Sequence, residues 1–271
     1  MPRKVDIVCD VGGTNMRVAA VCNDFVEVPL WIPTPQDPAI GIEKLIELAH
    51  TVAPDAEIES MVVGFPGLLN EQGELYDTTN LPQWGGIKLA KELEAVFDVL
   101  VIVENDALLA GLGEACVGAG RYHAVVGYVT VSTGVGGGRI VDGFINSTHP
   151  YIIGHQRIAG GELEDMISGT AVRKIFGREP YELTFEQREA LADLLAVGLC
   201  SAHKQWRPDV FVLGGPMMTG KNPIPINRVR RKFMEYVPRA APPVWLAELG
   251  DMSGLHGAHI LAQQMRRGCD V

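Results

Sequence analysis

Along the chain, short apolar runs alternate with stretches whose apolar residues recur at helical spacing. Val- and Ile-rich runs at 5–11, 16–22 and 25–32, separated by turn residues, predict strands. An amphipathic helix fits 39–53 and is stopped by Pro54, and 58–64 reads as a further strand. The stretch 66–86, with Gly67, Gly73, Pro82, Gly85 and Gly86, reads as loop. A helix over 87–97 then feeds a strand at 99–103, which runs into Glu104-Asn105-Asp106 and a helix starting near Ala107.

After that helix the pattern restarts. A strand at 124–132 meets the glycine turn Ser132-Thr-Gly-Val-Gly-Gly-Gly138, and a strand at 139–146 follows. Helices fit 162–176 and 184–206, the second opened by the capping-box sequence Thr184-Phe-Glu-Gln187. A strand at 209–213 ends in Gly214-Gly215, a helix fits 225–236, a strand fits 244–249, and a last helix fits 254–267. Each half thus opens with a strand, a glycine-rich turn and another strand before helices and strands alternate. That is a duplicated α/β domain with the ligand expected between the copies, and no low-complexity linker moves the boundary away from 105–108.

The first turn, Asp10-Val-Gly-Gly-Thr-Asn-Met-Arg17, joins chemistry to that pattern. Glycines let a ligand approach the main chain, and a turn rich in N–H groups and hydroxyls suits phosphate oxygens. An aspartate at a strand end can hold Mg²⁺, directly or through water. The plainer reading is a β-hairpin with a Gly-Gly turn; Asp10, Thr14 and Arg17 around the glycines favour phosphate. Two better-known phosphate motifs do not fit. Gly134-Val-Gly136-Gly-Gly-Arg139 lacks the third glycine of a dinucleotide fingerprint and precedes a strand. Gly215-Pro-Met-Met-Thr-Gly220-Lys221 has the P-loop spacing, but Asn222 stands where Mg²⁺ needs a hydroxyl and Pro216 removes an N–H.

Composition narrows the class. The 271 residues suffice for two domains, 47% are apolar and 21% charged, and the net charge of −10 opposes an electrostatic nucleic-acid or anionic-membrane partner. The basic run Arg228, Arg230, Arg231, Lys232 reads as a solvated helix face. Five scattered cysteines without C-x-x-C spacing suit reduced thiols, and no apolar run is long enough to span a membrane. With no apolar leader before the first strand, a cytoplasmic protein is expected.

Asp10-x-Gly-Gly-Thr-x-x-Arg17, Glu104-Asn-Asp-Ala, Ser132-Thr-Gly-x-Gly, Val212-Leu-Gly-Gly215 and Gly250-Asp-Met-Ser-Gly-Leu-x-Gly257 occur in that order. This ordered set, spanning essentially the whole chain, resembles the ROK family of bacterial sugar kinases and sugar-responsive repressors within the actin-like ATPase superfamily. The resemblance implies two duplicated actin-like (ribonuclease H-like) α/β domains with an interdomain cleft. Residues 1–106, completed by the C-terminal helix 254–271, would form the smaller one and 107–253 the larger. The repressor branch carries an N-terminal winged helix, so a chain opening on the phosphate strand is expected to be a kinase.

By the same resemblance Asp10, Gly12, Gly13, Thr14 and Arg17 form the first phosphate loop and Thr133, Gly134 and Gly136 the second. Gly214 and Gly215 would lie against adenosine, and Asp10 would hold Mg²⁺ through water. Asp106 matches the catalytic base that takes the acceptor's proton; read from its position alone, Asp106 or Asn105 could instead cap the following helix. Asn80, Asn105, His155 and Glu164 match sugar contacts, although Glu164 also suits a helix's first turn. Trp84 is read as packing. Two departures stand out. Ile152 occupies the position of a family glutamate, with Glu162 a candidate to compensate, and the cysteine-rich zinc loop after His155 is missing. His155 is therefore read without zinc, and His256 and His259 as a helix face. The expectation is an ATP- and Mg²⁺-dependent hexose kinase acting on glucose, with fructose, mannose or an N-acylated hexosamine as alternatives and polyphosphate as an alternative donor. A sugar-sensing protein of the same fold is the runner-up, and a homodimer is compatible with the chain.

Overall fold

The first strand is buried on both faces, Val5, Ile7, Cys9 and Val11 on one and Asp6 and Val8 on the other, as a strand flanked on both sides requires. The computed structural model describes residues 2–146, 152–158, 160–239 and 241–268. In chain order the first elements are β1 (Lys4–Val11), β2 (Asn15–Cys22), β3 (Phe25–Val26), β4 (Leu30–Pro33), α1 (Pro38–Val52), β5 (Glu57–Phe65), β6 (Leu68–Leu69), β7 (Leu75–Tyr76), α2 (Leu89–Phe97), β8 (Leu100–Asn105) and α3 (Asp106–Cys116). There follow β9 (Val125–Val131), β10 (Val135–Val141), β11 (Phe144–Ile145), β12 (Arg157–Ile158), β13 (Gly161–Glu162), α4 (Glu164–Ile167), α5 (Gly169–Phe176), α6 (Phe185–Trp206), β14 (Val210–Gly214), α7 (Pro216–Thr219), α8 (Ile226–Tyr236), β15 (Val244–Leu246) and α9 (Ser253–Arg266).

The chain divides into two units, residues 1–113 with 254–271, and residues 114–253. The first passage between them falls inside α3, whereas the sequence placed it at the helix start. In the first unit the sheet runs β3-β2-β1-β5-β8, with β4 also paired to β2. β1 and β2 are antiparallel, while β1, β5 and β8 are parallel. The second sheet runs β11-β10-β9-β14-β15, with β9 and β10 antiparallel and β9, β14 and β15 parallel. Strand order and direction are therefore the same in both units, which is the duplication the sequence halves suggest. The first core packs Ile7, Val63 and Val103 of the sheet with Leu45 and Ala49 of α1 and Leu89 and Leu93 of α2. The second sets Val129, Phe211 and Leu213 against Leu195, Leu199 and Trp206 of α6 and Phe233 of α8.

Local signals set several helix ends. Asp37 caps α1 by accepting the N–H groups of Ala39 and Ile40 at 2.8 and 3.3 Å, with Pro38 in the first turn. Thr184 and Gln187 form the capping box of α6. Elsewhere tertiary structure overrides pattern. The run 25–32 splits into β3 and β4, and 162–176 splits at Ser168, whose hydroxyl accepts the Ala171 N–H at 3.0 Å and starts α5 afresh. The basic run is also more than a solvated face. Arg228 grips Asp193 of α6 through two bonds of 2.6 Å, and Arg230 donates to the Val244 carbonyl of β15 at 2.7 Å. Buried Glu114 accepts the N–H groups of Ala119, Glu248 and Leu249 at 2.9, 3.1 and 2.9 Å and the Ser253 hydroxyl at 3.0 Å.

Candidate active site

The first glycine turn is a β-hairpin connection, so the plain reading of the sequence holds for its backbone. Gly12 donates to the Asn15 carbonyl at 2.8 Å, and Asp10 pairs in register with Arg17 across the hairpin. That register carries the Arg17 Nη1 to 3.2 Å from Asp10 Oδ2, so the carboxylate has a cationic neighbour. On its other flank Asp10 meets the start of α9: a Cβ on Gly254 would lie 3.2 Å from the Asp10 carboxyl carbon. Thr14, at the tip, is exposed. Neither Gly12 nor Gly13 has a positive φ, so close approach rather than backbone handedness accounts for glycine here.

The turn is held from beneath by a residue the sequence did not single out. Buried Thr34 donates its N–H to the Thr14 carbonyl at 2.9 Å and its hydroxyl to the Gly12 carbonyl at 2.7 Å. A threonine between two prolines carries no distinctive pattern, and only the pairing of β4 with β2 brings it there.

At the end of β8 both Asn105 and Asp106 reach the N-terminus of α3. Asn105 is the cap of α3: its Oδ1 accepts the N–H groups of Ala107 and Leu108, both at 3.1 Å, and its Nδ2 donates to the Gly67 carbonyl at 3.1 Å. One amide hydrogen of Asn105 is left for a ligand. The helix therefore does not need Asp106 as its cap, although Asp106 Oδ1 also accepts the Ala107 N–H at 2.8 Å. Desolvation, and after it the negative charge of Asp10, pushes the Asp106 carboxyl up to about 7. A carboxylate with that value can both hold and release a proton near neutrality. Burial also raises neighbouring Glu104, against the opposing hydrogen bond from the Asn105 N–H at 2.7 Å.

Asn80 is half-buried in the loop after β7, directly against Gly13. Trp84 in the same segment is fully buried, its ring centroid 5.3 Å from that of Phe65, and it acts as packing, as the sequence suggested.

In the second unit the turn between β9 and β10 spans Ser132–Gly134, closed by Ser132 N–H to the Gly134 carbonyl at 2.9 Å. Gly136 lies not in the turn but in β10, opposite Thr130, because the glycines 136–138 pair along β9. The start of α5 latches the turn, Gly169 and Thr170 donating to the carbonyls of Ser132 and Thr133 at 2.7 and 3.2 Å. Gly214 ends β14, where a Cβ would lie 2.4 Å from the Tyr128 hydroxyl oxygen. Gly215 has φ +85°, and a Cβ there would meet the Val131 carbonyl at 2.5 Å. Glu164 stands in the first turn of α4, its Oε2 accepting the Val135 N–H at 2.7 Å. That bond fixes the carboxylate at the start of β10. His155 is exposed in a 3₁₀ turn, Ile153–His155, and the hairpin β12–β13 follows, setting Arg157 opposite Glu162. His259 is buried in α9, with Gln263 Nε2 3.2 Å from its Nε2.

The sequence profile of the ROK family matches residues 7–265. The glucokinase of Thermotoga maritima is 30% identical over 67% of this chain and 62% of its own length. The N-acetyl-D-glucosamine kinase of Yersinia enterocolitica serotype O:8 is 25% identical over 93% of this chain and 97% of its own. Among solved structures, a ROK hexokinase from Thermus thermophilus superposes with a TM-score of 0.84 at 25% identity, covering 97% of this chain and 99% of that one.

Proposed function

We propose that this chain, which belongs to the ROK family and is a sugar kinase, transfers the γ-phosphoryl group of ATP to a hexose, with glucose and its 6-hydroxyl the leading acceptor. The observation that carries this reading is Asp106: a carboxyl held near a pKa of 7 while Asn105 serves as the cap of α3. Above that pH it is ionised and can take the proton that the attacking hydroxyl loses.

Phosphoryl transfer passes through a loose transition state, so positioning and charge neutralisation do most of the work. In the first unit the N–H groups of Gly13 and Thr14 and the Thr14 hydroxyl take phosphate oxygens, Gly12 closes the turn through its bond to Asn15, and Arg17 keeps Asp10 oriented. Asp10 suits a hard cation: it offers carboxylate oxygens near the end of β1, beside the turn. Mg²⁺ held there through water would neutralise charge developing on the phosphates. Asn80 and the remaining Asn105 hydrogen take sugar hydroxyls. In the second unit the same reading gives Thr133 and Gly134 to phosphate, Gly214 and Gly215 to adenosine, and His155 and Glu164 to sugar hydroxyls. Ile152 in place of a carboxylate keeps fructose, mannose and N-acylated hexosamines as the competing acceptors. The reaction would take place in the cytoplasm.

ADP release coupled to a reporter enzyme, measured over glucose, fructose, mannose, N-acetylglucosamine and N-acetylmannosamine, tests the reading, with polyphosphate as the parallel donor. Hexose-dependent ADP release with the highest kcat/KM for glucose is expected. Hexose-independent release, or none, would overturn it.

A further inference from the structure

The first unit builds the phosphate turn and the Asn80 segment into one another. A Cβ on Gly13 would lie 2.9 Å from the Asn80 Cβ and 3.5 Å from the Asn80 carbonyl oxygen. Asn80 Cβ is attached directly to the backbone and cannot swing away as a side-chain tip could, so the two main chains are in fixed register. Since Gly13 has no positive φ, the room it leaves for Asn80 is the local reason for a glycine there.

A second path closes the ring. Thr34 fastens the turn through the Gly12 and Thr14 carbonyls, and the next residue, Pro35, accepts the indole N–H of Trp84 at 3.2 Å. Trp84 in turn is wedged against α1, where a Cβ on Gly41 would sit 2.2 Å from its ring. It is tied back to the sugar segment by its N–H to Leu81 at 3.0 Å and by Leu81 N–H to Thr78 at 2.9 Å. The turn and the segment are joined directly at Gly13–Asn80 and again through Thr34, Pro35 and Trp84. A displacement of one is therefore transmitted to the other.

We propose that Gly13 and Thr34 are positioning residues that couple the two substrates, so that nucleotide on the Gly12–Thr14 turn tightens sugar binding at Asn80 and sugar tightens nucleotide by the same factor. The proposal rests on the assignment of these two segments to phosphate and sugar. Reciprocity is a thermodynamic requirement for affinities, and such coupling typically amounts to about 5-fold or more. A ligand that draws one segment to its bound position leaves less of that displacement for the second ligand to drive.

The test is calorimetric titration of glucose, or of the hexose that releases ADP fastest, with and without a non-hydrolysable ATP analogue and Mg²⁺, on folded protein checked by thermal melting. Wild type should bind sugar about 5-fold or more tighter with the analogue present. Thr34→Val keeps the size and the backbone bond but loses the hydroxyl bond, and should lower that factor. Gly13→Ala, which sets a Cβ of the phosphate turn itself against Asn80, should weaken sugar and analogue together and lower that factor. Asn80→Ala separates the two levels of the argument: unchanged sugar affinity in that variant would refute the sugar assignment itself. Weakened sugar binding in Asn80→Ala, with no coupling in wild type or full coupling in Thr34→Val, would refute the coupling alone. Gly13→Ala weakening the analogue and sparing the sugar would refute it equally.

Discussion

Replacing Asp106 with Asn should make the protein more stable and nearly inactive. The change keeps the shape of the side chain, and the cap of α3 stays intact because Asn105 supplies it. What disappears is a carboxyl whose ionisation the fold disfavours, raised from 3.8 to about 7. Between those values the folded chain keeps a proton that the unfolded chain has released. Folding stability contributed by this group is therefore present below about pH 4, falls as pH rises from about 4 to about 7, and is fully lost above. A shift of about three units corresponds to a ceiling of about 4 kcal/mol. Asp106 keeps part of its surface open to water, and screening there reduces the effect to about 1–2 kcal/mol. Urea unfolding at pH 8 should show Asp106→Asn more stable than wild type by that amount, and the difference should vanish near pH 4. In the coupled assay kcat should fall about 10²–10⁴-fold. Wild-type kcat/KM should decline below pH 7 as Asp106 becomes protonated, a limb the variant lacks. A variant with wild-type turnover, or one less stable than wild type at pH 8, would refute the reasoning.

Three further outcomes follow from the second unit. Glu164→Gln keeps an oxygen for the Val135 N–H, so melting should be unchanged while sugar binding weakens by about 1.5–3 kcal/mol, read as KM. Gly215→Ala forces a side chain onto φ +85° and toward the Val131 carbonyl; a loss of about 1–3 kcal/mol in chemical unfolding is expected. Ile152→Glu should lower KM for the preferred hexose, by up to about 1.5–3 kcal/mol if the new carboxylate is well placed. An unchanged or raised KM there would assign the role to another group, such as half-buried Glu162 on β13.

Most of the architecture was legible because its signals are local. Val- and Ile-rich runs bounded by glycines mark β1, β2, β5, β9 and β14, and the capping boundaries of α1 and α6 are written in Asp37-Pro38 and Thr184–Gln187. The breaks that were missed either hide within a continuous period or depend on partners distant in sequence. Ser168 ends one helix and caps the next within an uninterrupted apolar pattern, so periodicity alone runs straight through it. Gly136 looks like turn chemistry but is strand, because a Cβ on its neighbour Gly137 would lie 2.3 Å from the Tyr128 carbonyl across the β9–β10 pair. At the site, Asp10, Asp106 and the glycine turns stood out by residue type. That Asn105 takes two N–H groups of α3 and Asp106 one did not, since either residue type can cap. Thr34 was illegible: its importance lies wholly in two carbonyls about twenty residues earlier in the chain.

The most direct test of the account follows the phosphorus. Phosphorus NMR of the protein with ATP, Mg²⁺ and glucose should show the γ-phosphate signal converting to a phosphomonoester at the sugar 6-position with matching ADP. Asp106→Asn should still bind the ATP analogue in calorimetry while that conversion slows at least 100-fold, the lower end expected for losing a general base. Conversion at the wild-type rate in Asp106→Asn, or release of inorganic phosphate with no sugar ester formed by any hexose, would contradict it.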